Sequence, residues 1–202
     1  SALIGDIYDC ALNADRWLPT LERLASVMGG CNGTILSHGV DSVSFQYAWG
    51  TPPEALRAYA EQFARIDPLL TIGWHFDVDD PVSMERFISP NELMATAFYR
   101  GFLAPLDWYD FTAVILEKSA TRSSTIGFTR TTTLGSPGER EKSLLKLLAP
   151  HIRRAVIFHG MKERDAARAT DLGAALDLMQ VPVLLLDSAG QPVETNAAAE
   201  KF

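Results

Sequence analysis

Apolar residues recur along the chain at two periods, one helical and one extended. In "ADRWLPTLERLASVMGG", Trp17, Leu21, Leu24 and Met28 stand three or four apart, which predicts a helix, and Gly29-Gly30 stops it. "GTILSHGV" and "SVSFQYAWG" then read as two strands joined by a turn near Asp41. In the second, Val43, Phe45, Tyr47 and Trp49 alternate with smaller or polar residues, the period of a half-buried strand. "TPPEALRAYAEQFARI" returns to the helical period. Thr51 is the expected N-cap, with prolines in the first turn and Glu54 placed for a capping box. Leu56, Tyr59, Phe63 and Ile66 share one face of that helix.

Asp67-Pro68 ends the segment and suits the start of another helix over "LLTIGW", with Asp67 as cap. An acidic loop, "FDVDDPVS", follows. "SPNELMATAFYRGFLAPL" is expected to be helical to about Leu103 behind a Ser89 cap. "WYDFTAVILE" and "STIGFTRTTT" are expected to form an antiparallel pair, being rich in β-branched and aromatic residues. From Ser136 a long charged helix begins. Leu145, Leu148, Ile152, Ala155 and His159 approximate its 3–4 spacing, and Pro150 is expected to kink or restart it. "VPVLLLD" reads as a buried strand. A turn at Ser188-Ala189-Gly190, a second short strand and the start of a helix complete the chain.

Adjacent strand pairs separated by helical pairs predict an α+β fold: an α/β/α sandwich about a central antiparallel sheet, followed by a partial second unit. The chain opens on Ser1 without Met and closes inside what reads as an unfinished unit, so it is expected to be part of a longer protein.

Composition narrows the function. The 202 residues are 47% hydrophobic and carry a net charge of −7, so nucleic-acid binding through this segment, which needs a basic face for the phosphates, is not expected. Two cysteines, Cys10 and Cys31, make no disulfide framework, and a reducing cytoplasm is the expected compartment. No apolar run approaches the length of a membrane span. The chain has no G-x-G-x-x-G, P-loop, H-E-x-x-H, C-x-x-C or G-x-S-x-G. An enzyme is therefore not expected, and neither catalytic residues nor a cofactor are assigned. The densest polar cluster is His75, Asp77, Asp79 and Asp80, the ligand set of a metal-dependent enzyme in one alternative reading and an acidic surface loop in the preferred one. A protein-interaction or dimerisation module with a filled core is the other alternative.

Tyr59-x3-Phe63-x3-Asp67-Pro68 resembles the signal-binding domain of LuxR-type transcriptional regulators. "IYDCALNADRWLPTLERLASVMGG", "FYRGFLAPL" and "LLKLLAPHIRRAV" resemble stretches of the same group. "VPVLLLDSAGQPVETNAAAEKF" is similar to the opening strands of a PAS domain, with Asp187, Gly190, Asn196 and Ala198 at the matching positions. The resemblance implies a PAS/GAF-like sensor domain over residues 1–158, a helical linker over 159–170 and the start of a PAS-like domain over 171–202. In that family the aromatics wall a pocket and the Asp accepts a hydrogen bond from the ligand's amide. Trp74 is the nearest counterpart of the Trp that contacts the lactone in acyl-homoserine-lactone receptors, but it follows Asp67 too closely, and Val82 stands nearer the matching place.

The pocket wall expected from these readings comprises Tyr47, Trp49, Tyr59, Phe63, Asp67 and Trp74, with Trp108 and Phe128 added. Asp67 is the expected polar anchor for a small, largely apolar signal. The implied protein is a homodimer that meets DNA only through a C-terminal helix-turn-helix outside these residues. The helix from Gly138 to about Arg168 is the expected dimer element.

Overall fold

The computed structural model describes residues 2–39, 42–68, 70, 75–179 and 181–201. They form two compact units, Ser1–Val156 and Ile157–Phe202. The expected α+β architecture is present in the first. Two helices, α1 (Ala2–Leu12) and α2 (Trp17–Val27), lead into β1 (Gly33–Gly39) and β2 (Val43–Trp49). Next come α3 (Pro53–Ala58), the short β3 (Val82–Ser83), α4 (Pro90–Ala95), β4 (Trp108–Lys118) and β5 (Arg122–Thr131). The five strands form one antiparallel sheet in the order β2-β1-β5-β4-β3. The long helix α5 (Glu139–Asp177) begins in this unit.

Each face of the sheet carries its own core. On one, Trp17, Leu21 and Leu24 of α2 and Ile7 of α1 meet Ile35, Val114, Ile126 and Phe128. Leu145, Leu148, Ile152 and Ala155 of α5 close the same core, so the stripe read from their spacing packs on the sheet. The other face is covered by Tyr59, Phe98, Phe102, Leu103 and Trp108. Two cores back to back make the α/β/α sandwich.

Several local expectations change. Helix α3 starts at Pro53 with Pro52 as its cap residue and no side-chain cap, so Thr51 does not form the capping box: the two prolines pre-set the first turn on their own. Ser89 does form one, with Glu92 bonded back to its backbone N–H at 3.0 Å. Pro150 lies inside α5, which runs through it unbroken. The turn expected near Asp41 and most of the helix expected over "LLTIGW" lie outside the described residues.

The second unit holds the last part of α5 and a hairpin of β6 (Leu184–Leu186) and β7 (Pro192–Thr195). Asp187 Oδ1 accepts the backbone N–H groups of Ala189 and Gln191 and so shapes the turn. Asn196 is buried. Its Nδ2 donates to the carbonyls of Leu176 and Val181, which ties the hairpin to the end of α5. The strand expected to be buried in "VPVLLLD" is exposed at Leu184, Leu185 and Leu186.

Candidate functional site

A cavity of about 110 Å³, open to solvent on one side, lies on the second face of the sheet. The sheet register explains where the space comes from. Thr34, Gly127, Ala113 and Val82 pair in turn across β1, β5, β4 and β3. They form a row of short side chains along the cavity floor. Larger residues stand on both sides of it: Phe45, Leu36, Thr125 and Ile115 in one row, Thr129 and Phe111 in the other. Alternate residues of a strand share a face, so a small residue between two large ones leaves a trough.

Two irregular helical segments roof the trough. Helix α3 runs into a π-helical turn over Tyr59–Phe63 and a 3-10 turn over Ala64–Ile66. A second π-helical turn spans Tyr99–Leu103. Such turns insert a residue and re-aim side chains, and they recur at binding sites. Here they present Tyr59 and Phe102 to the cavity, with ring centroids 5.3 Å apart. Gly101 makes this crossing possible, because a Cβ there would stand 2.7 Å from the Phe63 ring. Trp108 meets Phe102 edge-on at 5.7 Å.

Polar groups on the wall are few. The Tyr59 hydroxyl donates to Asp67 Oδ2 at 2.7 Å, and both residues are buried, at 7% and 3% exposure. Burial, and next the Asp67 carboxylate beside it, push the Tyr59 phenol well above its ordinary pKa, so it remains a donor at any physiological pH. His38 is buried, and desolvation pushes its imidazole below its ordinary pKa, toward the neutral form. Asn32 Oδ1 accepts the Thr129 N–H at 3.0 Å. Thr51, freed from capping, turns its hydroxyl into a buried position where it meets no partner among the described residues. Among the described residues the wall carries one carboxylate, Asp67, and no lysine or arginine. Such a wall suits an uncharged molecule with an apolar body and a hydrogen-bond donor; an anion would lose its hydration without gaining a counter-charge.

Tyr59, Asp67 and Trp108 line this cavity. Phe63 belongs to the same aromatic cluster, 5.3 Å from Phe102, and lies behind the wall. Tyr47, Trp49 and Phe128 pack into the core on the opposite face, where Tyr47 stacks on Trp17 at 5.4 Å. The cause in β2 is a bulge. Ile35 pairs with Tyr47 and Leu36 with Phe45, which leaves Gln46 as an extra residue and moves Tyr47 and Trp49 to the face opposite Phe45. Phe128 shares its face with Ile126, between the cavity residues Gly127 and Thr129. Trp74 lies outside the described residues. Phe45, Phe76, Phe98, Phe102 and Phe111 join the wall although the sequence reading did not select them. The spacing of Phe98 and Phe102, four apart in an apolar segment, was the available signal.

The acidic loop is engaged with basic side chains. Arg153 grips Asp79 at 2.8 and 3.2 Å, and Lys146 reaches Asp80 at 3.2 Å. Among the described residues no three His, Cys, Asp or Glu side chains gather as a metal site, and no helix is long and apolar enough to cross a membrane.

No protein-family profile matches the sequence, and no curated protein matches it. Solved structures do match by fold. One is the VqsR LBD domain from Pseudomonas aeruginosa, at 13% identity and a TM-score of 0.64 over 78% of this chain and 94% of that one. Another is CepR2 from Burkholderia cenocepacia, an N-acylhomoserine lactone dependent LuxR family transcription factor, at 17% identity and 0.57 over 76% and 90%. A third is the GAF domain of a phosphoenolpyruvate-protein phosphotransferase from Coxiella burnetii, at 10% identity and 0.57 over 81% and 95%. The chain thus has the fold shared by LuxR-family signal-binding domains and GAF domains.

Proposed function

We propose that this chain is the ligand-sensing region of a LuxR-like transcriptional regulator working in the cytoplasm. Its cavity takes a small, uncharged, largely apolar signal, with Asp67 as the polar anchor. The pocket and DNA binding are coupled through a homodimer and a helix-turn-helix domain beyond these residues. The signal acts by binding one arrangement of the dimer better than another, which is all a ligand can do to shift such an equilibrium. The role is one of binding rather than catalysis.

The observation that carries this reading is the buried Tyr59–Asp67 pair set in the wall of a largely apolar cavity. A buried carboxylate is costly unless it is hydrogen-bonded, and Asp67 is held by a phenol at the wall of the cavity, where it sets a polar point on an apolar surface. The fold shared with LuxR-family and GAF domains supports the same reading. Nile red, an uncharged apolar fluorophore, tests it. Its emission is expected to rise on titration with the wild type and to stay at the free-dye level with Gly127→Val, which fills the trough. Equal emission with both proteins would contradict the reading.

A further inference from the structure

Helix α5 contributes apolar side chains to the core of its sheet as far as Ala155 and Val156, and His159 is its last buried residue in this stretch. From Met161 to Leu172, about three turns, every residue is exposed. Most helical stability in proteins comes from packing of an apolar stripe, so apolar residues on a solvated stretch of helix suit a partner. The exposed residues are not uniformly polar. Phe158, Met161, Asp165, Arg168, Leu172 and Ala175 are exposed and follow one another at intervals of three and four, the spacing of a helix-pairing seam.

We propose that this seam pairs antiparallel with the same seam of a second copy, about a twofold axis between Ala166 and Ala167. The charges decide the direction. In a parallel pair Asp165 would face Asp165 and Arg168 would face Arg168. In the antiparallel register each Asp165 meets the partner copy's Arg168 at the centre, Met161 meets Leu172, and Phe158 meets Ala175. Arg164 and Asp171, which flank the seam, come together in the same register with opposite sign. Within one chain Asp165 and Arg168 are only loosely paired, at 3.9 Å and both exposed, so they are available to exchange partners. Twofold closure makes the contact self-complementary and finite. The inference gives the dimer of the proposed function its surface and direction, and its test needs no signal molecule.

The test is sedimentation at about 100 μM, the range that detects a weak self-association, followed by cysteine crosslinking. The wild type is expected to sediment as a dimer and Phe158→Glu as a monomer with unchanged unfolding of the first unit. Met161→Cys and Leu172→Cys are expected to crosslink when mixed and not when each is oxidised alone. A monomeric wild type would overturn the proposal, and so would self-crosslinking of each variant alone, which marks a parallel pair. A Phe158→Glu protein that remains dimeric would place the interface elsewhere. None of these results bears on whether the cavity binds Nile red, so the two proposals fail separately.

Discussion

The phenol of Tyr59 and the carboxylate of Asp67 form a buried donor–acceptor pair, 2.7 Å apart and eight residues apart in sequence, across a π-helical turn. Tyr59→Phe removes this donor from the carboxylate and keeps the ring. A hydrogen bond to a charged group contributes about 1.5–3 kcal/mol, and the variant is expected to lose stability in that range. Urea unfolding checks it, with an unchanged m-value showing that the fold is retained.

The trough gives a prediction of opposite sign. Lengthening a side chain in a well-packed core costs about 1–3 kcal/mol through strain. Ala113 instead sits on the floor of open space. Ala113→Leu is therefore expected to leave stability unchanged or raise it, while lowering Nile red affinity at least tenfold. A loss of stability comparable to ordinary overpacking, read by urea unfolding, would show that the floor is closed.

The bulge at Gln46 separates two aromatic residues that the sequence treats alike. Tyr47→Ala removes a ring stacked on Trp17 and is expected to cost about 2 kcal/mol, with Nile red affinity unchanged. Phe45→Ala enlarges the cavity and is expected to change that affinity. Both variants are read by the same two measurements.

His38 makes stability depend on pH. Its folded pKa lies below the ordinary 6.5 because burial disfavours the imidazolium. The folded state therefore binds fewer protons than the unfolded one just below pH 6.5. Its contribution is fully present above 6.5 and is lost as the pH falls through that value toward the folded pKa, with a slope of at most about 1.4 kcal/mol per pH unit. His38→Gln is expected to lose stability less steeply than the wild type between pH 6.5 and 5.

Much of the fold is legible in the sequence because periodicity reports which face is buried. The helical spacing of Trp17, Leu21 and Leu24 and the strands expected from the β-branched and aromatic residues of β4 and β5 both survive into the structure. The Ser89 cap was legible because its partner, Glu92, stands three residues on. The site was harder to read. A strand pattern assigns Phe45 and Tyr47 to one face, and only the pairing with β1 reveals the extra residue that parts them. Thr51 and Glu54 have the spacing of a capping box, yet Pro52 and Pro53 start the helix without it. The floor of the cavity is legible only in register: Gly127 and Ala113 carry no chemistry of their own, and their meaning comes from being neighbours across two strands. The long helix gave its buried stripe by spacing, whereas its exposed seam is separated from that stripe only by burial.

The account turns on a guest anchored by Asp67, and native mass spectrometry of the 202-residue chain measures this most directly. The protein is compared with its denatured mass, as purified and after incubation with Nile red. The account predicts an added, noncovalent mass of small-molecule size in the wild type, with a co-purified guest lost in Asp67→Ala and Nile red, which has no donor for Asp67, strongly reduced in Ala113→Leu. A wild-type mass equal to that of the denatured chain under both conditions, or an added Nile red mass undiminished in Ala113→Leu, would contradict it.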